Sequence, residues 1–377
     1  MSVARWFVMT SASAIAVLIA GPATAQQLCS NPFFVQQSFP TAGPTETTWR
    51  LCWDSTPGWG LIIRFAEFRK SPTSPFVRLF WDAYVSEIFV PYHSGWPRYT
   101  DLSYGFPLTT VSTADCPGTT GGTVLAGKVC KVVRDRGVAW KKDAQVRRGQ
   151  ELVLWGAVGA ANYNYIIEWA FRDDGVVVGR FGATGQNLSW DDMDTVPHMH
   201  NAIWRLDIDL NGCCPNSVHQ GIHHENLPGL TATDFDTIIP TETGLEWKPL
   251  AFHSLNVYSP TLHNSLGHLS SYHLIPLPSG VARHAEPWTQ EDFWVTRYHW
   301  SERRPENLPS YISPPENISS ADIVVWYMGS LHHHPRDEDG QFINVLGGRY
   351  WYGEAHVMWT GFMLKPNDLF DGTPLFP

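Results

Sequence analysis

No segment of this 377-residue chain sustains a 3.6-residue apolar period for three turns. Short alternating or β-rich runs recur in its place, at residues 61–65, 85–91, 151–155, 165–171, 176–181, 203–210 and 323–327. Turn clusters such as Asp173-Asp174-Gly175 and Asn211-Gly212 separate them. Side chains alternate faces along a strand, so each run buries one face and needs a second layer to bury it against. The 31 Gly, 28 Pro and 18 Trp agree with many strands joined by turns and argue against a helix bundle. The predicted fold class is all-β, a large antiparallel β-sandwich. Residues 163–181 read as a hairpin of strand, Asp-Asp-Gly turn and strand.

Charged residues make up only 16% of the chain against 43% apolar, which excludes a disordered chain. The net charge of −10 comes without any basic run, so nucleic acid is not an expected partner. The one long apolar stretch, residues 6–20, follows Arg5 and leads to Ala23-Thr24-Ala25. That is the pattern of a secretory signal peptide, with cleavage expected after Ala25. The stretch is shorter than the ~20 residues of a bilayer span, so no membrane partner is expected, and the chain reads as secreted or periplasmic. All six cysteines lie beyond the cleavage point, and an even count in an exported chain reads as disulfides. Cys116 and Cys130 flank a turn-rich segment and make a local bridge. Cys29 with Cys52 would then tie down an N-terminal arm, leaving the adjacent Cys213-Cys214 as the weakest assignment.

His198-Met199-His200 opens a strand-like run, and residues two apart on a strand share a face. With a distant His from His332-His333-His334 the pair suits a three-nitrogen copper or zinc site; surface or structural histidines are the plain alternative. His219, His223 and His224 read as solvated in a polar loop. Further along the run, Asp207 and Asp209 alternate with Leu206, Ile208 and Leu210. Two carboxylates on one face suit calcium or another hard cation, or else a solvent-facing edge beside Arg205. If the strand runs unbroken, the even-numbered histidines and odd-numbered aspartates face opposite ways.

Asn162-Tyr163-Asn164-Tyr165 opens the hairpin, followed by Glu168-Trp169, Phe171, a Gly turn and Gly182-Ala183-Thr184-Gly185. Strand tyrosines are usually packing residues. This pattern, however, resembles the cofactor segment of the copper amine oxidases, in which the Tyr after Asn is oxidised to topaquinone; Tyr163 is the matching position. Further motifs follow in the family's order. Pro197-His198-x-His200 and Arg205-Leu206-Asp207-x-Asp209 are similar to the copper strand running into a calcium-type site. Asp322 to Tyr327, Gly329 and the run from His332 to Asp339 resemble the segment of the third copper ligand. Spacing from Glu338-Asp339 and from Asp322 points to His333, whereas counting from Gly329 points to His332. Asp322 and the Ile323 carbonyl, with the Ile208 carbonyl, would complete the site of Asp207 and Asp209. Upstream, Val90-Pro91-Tyr92, Tyr99-Thr100-Asp101 and Tyr104-Gly105 resemble the active-site approach. The resemblance gives Tyr92 a hydrogen bond to the quinone, Tyr99 a gating role and Asp101 the part of catalytic base, with Asn162 orienting the cofactor ring. Trp294-Val295-Thr296-x-Tyr298, then residues 361–366 with Phe370-Asp371, are further matches.

The resemblance implies a secreted oxidase with copper(II), topaquinone from Tyr163 and a second site for calcium. It would convert a primary amine and dioxygen to an aldehyde, ammonia and hydrogen peroxide. It covers residues 85–377 as the catalytic β-sandwich, with 1–25 as signal peptide and 26–84 as an arm and first strands; the family's N-terminal α/β domains are missing. Gly159 stands where the family has Thr, Asn164 follows the Tyr where an acid is usual, and residues 341–355 diverge. A non-oxidising copper-binding member, with Tyr163 unmodified, is the alternative, and a hydrolytic zinc site on the same histidines a third. The family dimerises through long β-arms; the short segment between Gly185 and Val196 leaves a smaller homodimer as the expectation.

Overall fold

The computed structural model describes residues 29–40, 46–185, 196–212, 215–223, 234–249, 253–280, 283–336, 340–345, 348–353 and 355–372. The expected signal peptide, Cys213-Cys214, His224 and residues 186–195 lie outside them. Two ten-stranded antiparallel sheets dominate. The first contains β1 (Phe34–Pro40), β2 (Glu46–Asp54), β3 (Ile62–Arg69), β4 (Val77–Arg78), β5 (Phe80–Pro91) and β6 (Arg98–Thr100). It continues with β12 (His198–Ile208), β15 (Thr243–Leu245), β18 (Phe293–Arg297) and β19 (Ile323–His333). The second contains β7 (Thr123–Leu125), β8 (Val129–Lys142), β9 (Gln145–Ala160), β10 (Tyr163–Arg172) and β11 (Val177–Gly185). Its remaining strands are β13 (Ser217–His223), β14 (Asp234–Ile238), β16 (Ser254–His263), β17 (Leu269–Leu277) and β22 (Ala355–Asn367). A separate hairpin joins β20 (Gly340–Val345) to β21 (Gly348–Gly353).

The sandwich predicted from alternation is the fold observed. The hairpin lies where expected, as β10 and β11 paired from Phe171↔Val177 to Tyr163↔Gly185, with Gly175 of its turn at φ 82°. One reading needs correction. His219 and His223 sit on β13, not in a loop: polar side chains alternate there on a strand that pairs with β14 and β16. The first strands expected before residue 85 are β1 to β3, which extend the same sheet as β12. Pairs such as Ile63↔Ala83 join them to β5, inside which residue 85 falls. Cys29–Cys52 and Cys116–Cys130 are bonded as paired above.

Inward residues of the two sheets interdigitate in one core, with Trp169 of β10 edge-on to Trp204 of β12 at 5.1 Å between centroids. β12 is buried along its whole length on both faces. Its even positions Ala202, Trp204, Leu206 and Ile208 enter the interlayer core. On the other face Ile203 packs with Trp288, Trp294 and Leu308. This second cover also buries the polar odd face of an alternating strand, Arg205 and Asp207 included. Among the described residues no helix is long and apolar enough to cross a membrane.

Candidate active site and metal centre

β10 and β12 face each other across the core, and at one end of both the inward positions turn from apolar to polar. On β10 the odd positions Tyr163, Tyr165, Ile167, Trp169 and Phe171 point inward. On β12 the even face continues outward from Trp204 through Ala202 to His200 and His198. β19 pairs with β12 so that His333 lies directly opposite His198. Its inward residues Val325, Tyr327 and Leu331 are odd-numbered, which sends His333 inward and His332 outward. His198, His200 and His333 are 0%, 0% and 1% exposed, and each offers a ligand atom within 4.8 Å of the others. His332 is exposed and stands outside this group.

The donor set fits copper. His198 Nδ1 lies 3.0 Å from the Val196 carbonyl, which places a proton on Nδ1 and leaves the Nε2 lone pair for a ligand. His200 Nε2 is buried with no hydrogen-bond partner among the described residues. Burial, reinforced by the neighbouring imidazoles, pushes His198 down to about 3 and His200 well below its ordinary value. Both are therefore neutral donors, and three imidazoles with an open side suit copper or zinc. The hydroxyl of Tyr163 lies among them, 3.1 Å from His198 Nε2 and 2.7 Å from His333 Nδ1.

Backbone geometry holds Tyr163 there. It pairs with Ala160 across a two-residue turn, Ala161-Asn162, in which Ala161 takes φ 53°. On its other side lies Gly185 at φ 135°, where a Cβ would stand 2.5 Å from the Asn162 carbonyl oxygen and 2.7 Å from Tyr163 Cα. Only glycine lets β11 approach the tyrosine backbone so closely.

A cavity of about 340 Å³ opens onto Tyr163, and Tyr92, Tyr99, Asp101, Tyr104, Phe106, Asn162 and Tyr165 are among its walls. The ring of Tyr92 stacks on His198 at 4.3 Å. Asp101 begins the 3-10 turn Asp101–Tyr104. Burial pushes its carboxyl up from 3.8 to about 6, opposed by a 2.5 Å hydrogen bond donated by the Tyr165 hydroxyl. That hydroxyl also lies 3.4 Å from His200 Nδ1, so Tyr165 stands between the carboxylate and the metal ligands.

Sequence reasoning gave Tyr165 no role, although its position two residues after Tyr163 puts both on one face. It also passed over Glu87, a fully buried acid in the apolar run of β5. Glu87 Oε1 accepts the backbone N–H of Leu102 at 2.7 Å, and Oε2 accepts the Ser103 hydroxyl at 2.5 Å and Arg304 Nη1 at 3.2 Å. These bonds clamp the turn that carries Asp101. The single acid in residues 83–91 of β5, a mostly apolar run, was the available signal.

On the far face of β12, Asp207 is 1% exposed. Arg205 Nη1 bonds Asp82 at 2.8 Å and lies 3.8 Å from Asp207. Among the described residues neither Asp207 oxygen finds a hydrogen-bond partner, nor does Asp209 Oδ1, while Asp209 Oδ2 meets Arg78 at 3.5 Å. Burial, with neighbouring carboxylates adding, pushes Asp207 well above the carboxylate range and Asp209 up to about 6. Asp322 acts on both electrostatically. Ile208 and Ile323 are neighbours of these residues on β12 and β19. The carboxylates are gathered but not closed into a ligand cage: among the described residues the histidine trio is the group of three brought within 4.8 Å.

A family model described as "Copper amine oxidase, enzyme domain" matches residues 47–376. The copper-containing amine oxidase gamma 2 of Arabidopsis thaliana is 25% identical over 405 residues, covering 84% of this chain and 56% of its own. The primary amine oxidase of Pisum sativum is 22% identical over 397 residues, with 84% and 56% covered. The chain thus spans little more than half the length of these relatives. The crystal structure of Pichia pastoris lysyl oxidase superposes with a TM-score of 0.69 at 18% identity, covering 87% of this chain and 52% of that one. An amine oxidase from Aspergillus nidulans gives 0.68 at 17%, with 87% and 52% covered; at such identities the likeness speaks for the fold. With the family model spanning nearly all of the described strands, the chain belongs to the copper amine oxidase family, of which it carries the enzyme domain.

Proposed function

We propose that this chain is an exported oxidase that converts a primary amine, dioxygen and water to an aldehyde, ammonia and hydrogen peroxide. The observation that carries the reading is the Tyr163 hydroxyl within 3.1 Å of His198 and 2.7 Å of His333, in a trio of buried imidazoles. Copper held by His198, His200 and His333 would supply, with dioxygen, the oxidation of Tyr163 to a quinone whose carbonyl and electron-accepting ring act on the amine. Asp101 is the base: its carboxyl takes a proton from the carbon bearing the nitrogen, and a value near 6 leaves it ionised yet proton-seeking at neutral pH. Tyr165 bonds that carboxylate, and Asn162, Tyr92, Tyr99 and Tyr104 line the cavity that opens onto Tyr163. Asp207, Asp209 and Asp322, with the Ile208 and Ile323 carbonyls, would hold a calcium-type cation that offsets their buried charge. Two disulfides support the exported setting.

The test is phenylhydrazine titration of protein purified without metal and then aerated with copper. A stoichiometric coloured adduct that disappears in Tyr163→Phe is expected. Bound copper with no adduct would overturn the oxidase reading in favour of a copper-holding protein with an unmodified tyrosine. A hydrolytic zinc site is disfavoured because the tyrosine hydroxyl occupies the position that an activated water would need.

A further inference from the structure

The buried trio raises a question of access. His198, His200 and His333 are at most 1% exposed, so an ion from solvent must shed its water to reach them, and the sheet edge beside them is one way in. At that edge stand three exposed imidazoles. His93 follows β5, and its backbone N–H bonds the Pro197 carbonyl at 3.0 Å, beside His198. His332 and His334 lie two residues apart at the end of β19, either side of the inward His333. The His93 and His332 rings are 4.9 Å apart with planes at 20°, and His332 and His334 are 6.1 Å apart at 17°. The buried rings stand 4.9, 4.7 and 6.2 Å apart, but among the described residues only theirs bring all three ligand atoms within 4.8 Å, so the outer rings must turn to converge on one ion.

We propose that His93, His332 and His334 form an outer copper(II) site that captures the ion and passes it to His198, His200 and His333. Each imidazole carries a ring nitrogen able to serve as a copper ligand. Exposed side chains turn freely about χ1 and χ2, and copper(II) accepts two or three imidazoles with water in the remaining positions. Transfer is ligand exchange without change of oxidation state. Two of the three inner ligands have an outer neighbour close at hand: His333 follows His332 in the chain, and His198 lies beside the backbone of His93. The inference rests on the copper part of the proposed function and is independent of the quinone.

Metal-free full chain titrated with copper(II), with bound ions counted by equilibrium dialysis and their nitrogen ligation read by electron paramagnetic resonance, tests this. Wild type is expected to hold about two ions, and His93→Ala/His332→Ala/His334→Ala about one, of the tighter kind. The inner signal should also appear more slowly in that variant. His198→Ala/His200→Ala should keep about one ion, bound weakly. A single ion in wild type, or wild-type count and loading rate in the triple variant, would overturn the proposal. Should that variant misfold, carbethoxylation of wild type decides: copper must shield His93, His332 and His334, and modification unaffected by copper sinks the idea. Because neither readout uses the phenylhydrazine adduct, failure of the oxidase reading leaves the result interpretable.

Discussion

Tyr163 and Tyr165 leave β10 on the same face with rings stacked 5.9 Å apart, yet their hydroxyls end on different partners. Tyr163 reaches the imidazole trio, whereas Tyr165 reaches Asp101. The division sets up two predictions. A base acts only when ionised, so kcat/KM should fall as pH drops through about 6, the value to which burial raises Asp101. Asp101→Asn should abolish turnover while the phenylhydrazine adduct still forms; a variant that kept turnover would remove Asp101 from the mechanism. The Tyr165 bond favours the ionised carboxylate, so Tyr165→Phe should move the acidic limb to higher pH. An unmoved limb would mean that Tyr165 only packs. Tyr163 and Asp101 were readable from residue type and neighbours in sequence. The Asp101–Tyr165 bond was not, because 64 residues separate partners that meet only through the stacked sheets.

At the scale of elements, the 3-10 turn Asp101–Tyr104 is too short to place a base by its own hydrogen bonds, and Glu87 supplies what it lacks. Glu87→Gln keeps the shape but puts an amide N–H donor in place of one of the carboxyl oxygens that accept from Leu102, Ser103 and Arg304. It should lower kcat by roughly ten- to a hundred-fold through misplacement of Asp101, with adduct formation retained. Glu87→Ala should cost about 1–3 kcal/mol as well, since the Leu102 N–H and its companions lose a buried acceptor. If kcat fell only in proportion to folded protein, the clamp would be structural alone. β19 shows how an element settles what spacing left open. His332 and His333 both fit the sequence pattern, and the odd-numbered inward row Val325, Tyr327, Leu331 decides for His333.

For the whole molecule, a strand buried on both faces carries two chemistries. Histidines of β12 meet Tyr163 between the sheets, while Asp207 lies under the far cover with Arg205 and Asp82. Both buried oxygens of Asp207 lack a hydrogen-bond partner among the described residues, which is costly without a cation. Calcium at a hundredfold excess over its Kd should therefore raise unfolding free energy by about 2.7 kcal/mol, read as a higher Tm that chelation reverses. Asp207→Asn should erase that response. A Tm indifferent to calcium in the wild type would leave Arg205 and Arg78 as the whole compensation.

Sequence alone determined the sandwich, the hairpin that presents Tyr163 and the parity that sets histidines against aspartates along β12. All are local: strand alternation and turn chemistry act over a few residues. Tertiary structure decided the membership of residues 34–69 in the catalytic sheet, the burial of β12 on its second face and the bonds of Tyr165 and Glu87. It also decided which imidazoles lie inside the sheet edge and which stand outside it. These depend on partners far apart in the chain, whose meeting is fixed by how the sheets pair and stack and not by any property of the segments themselves.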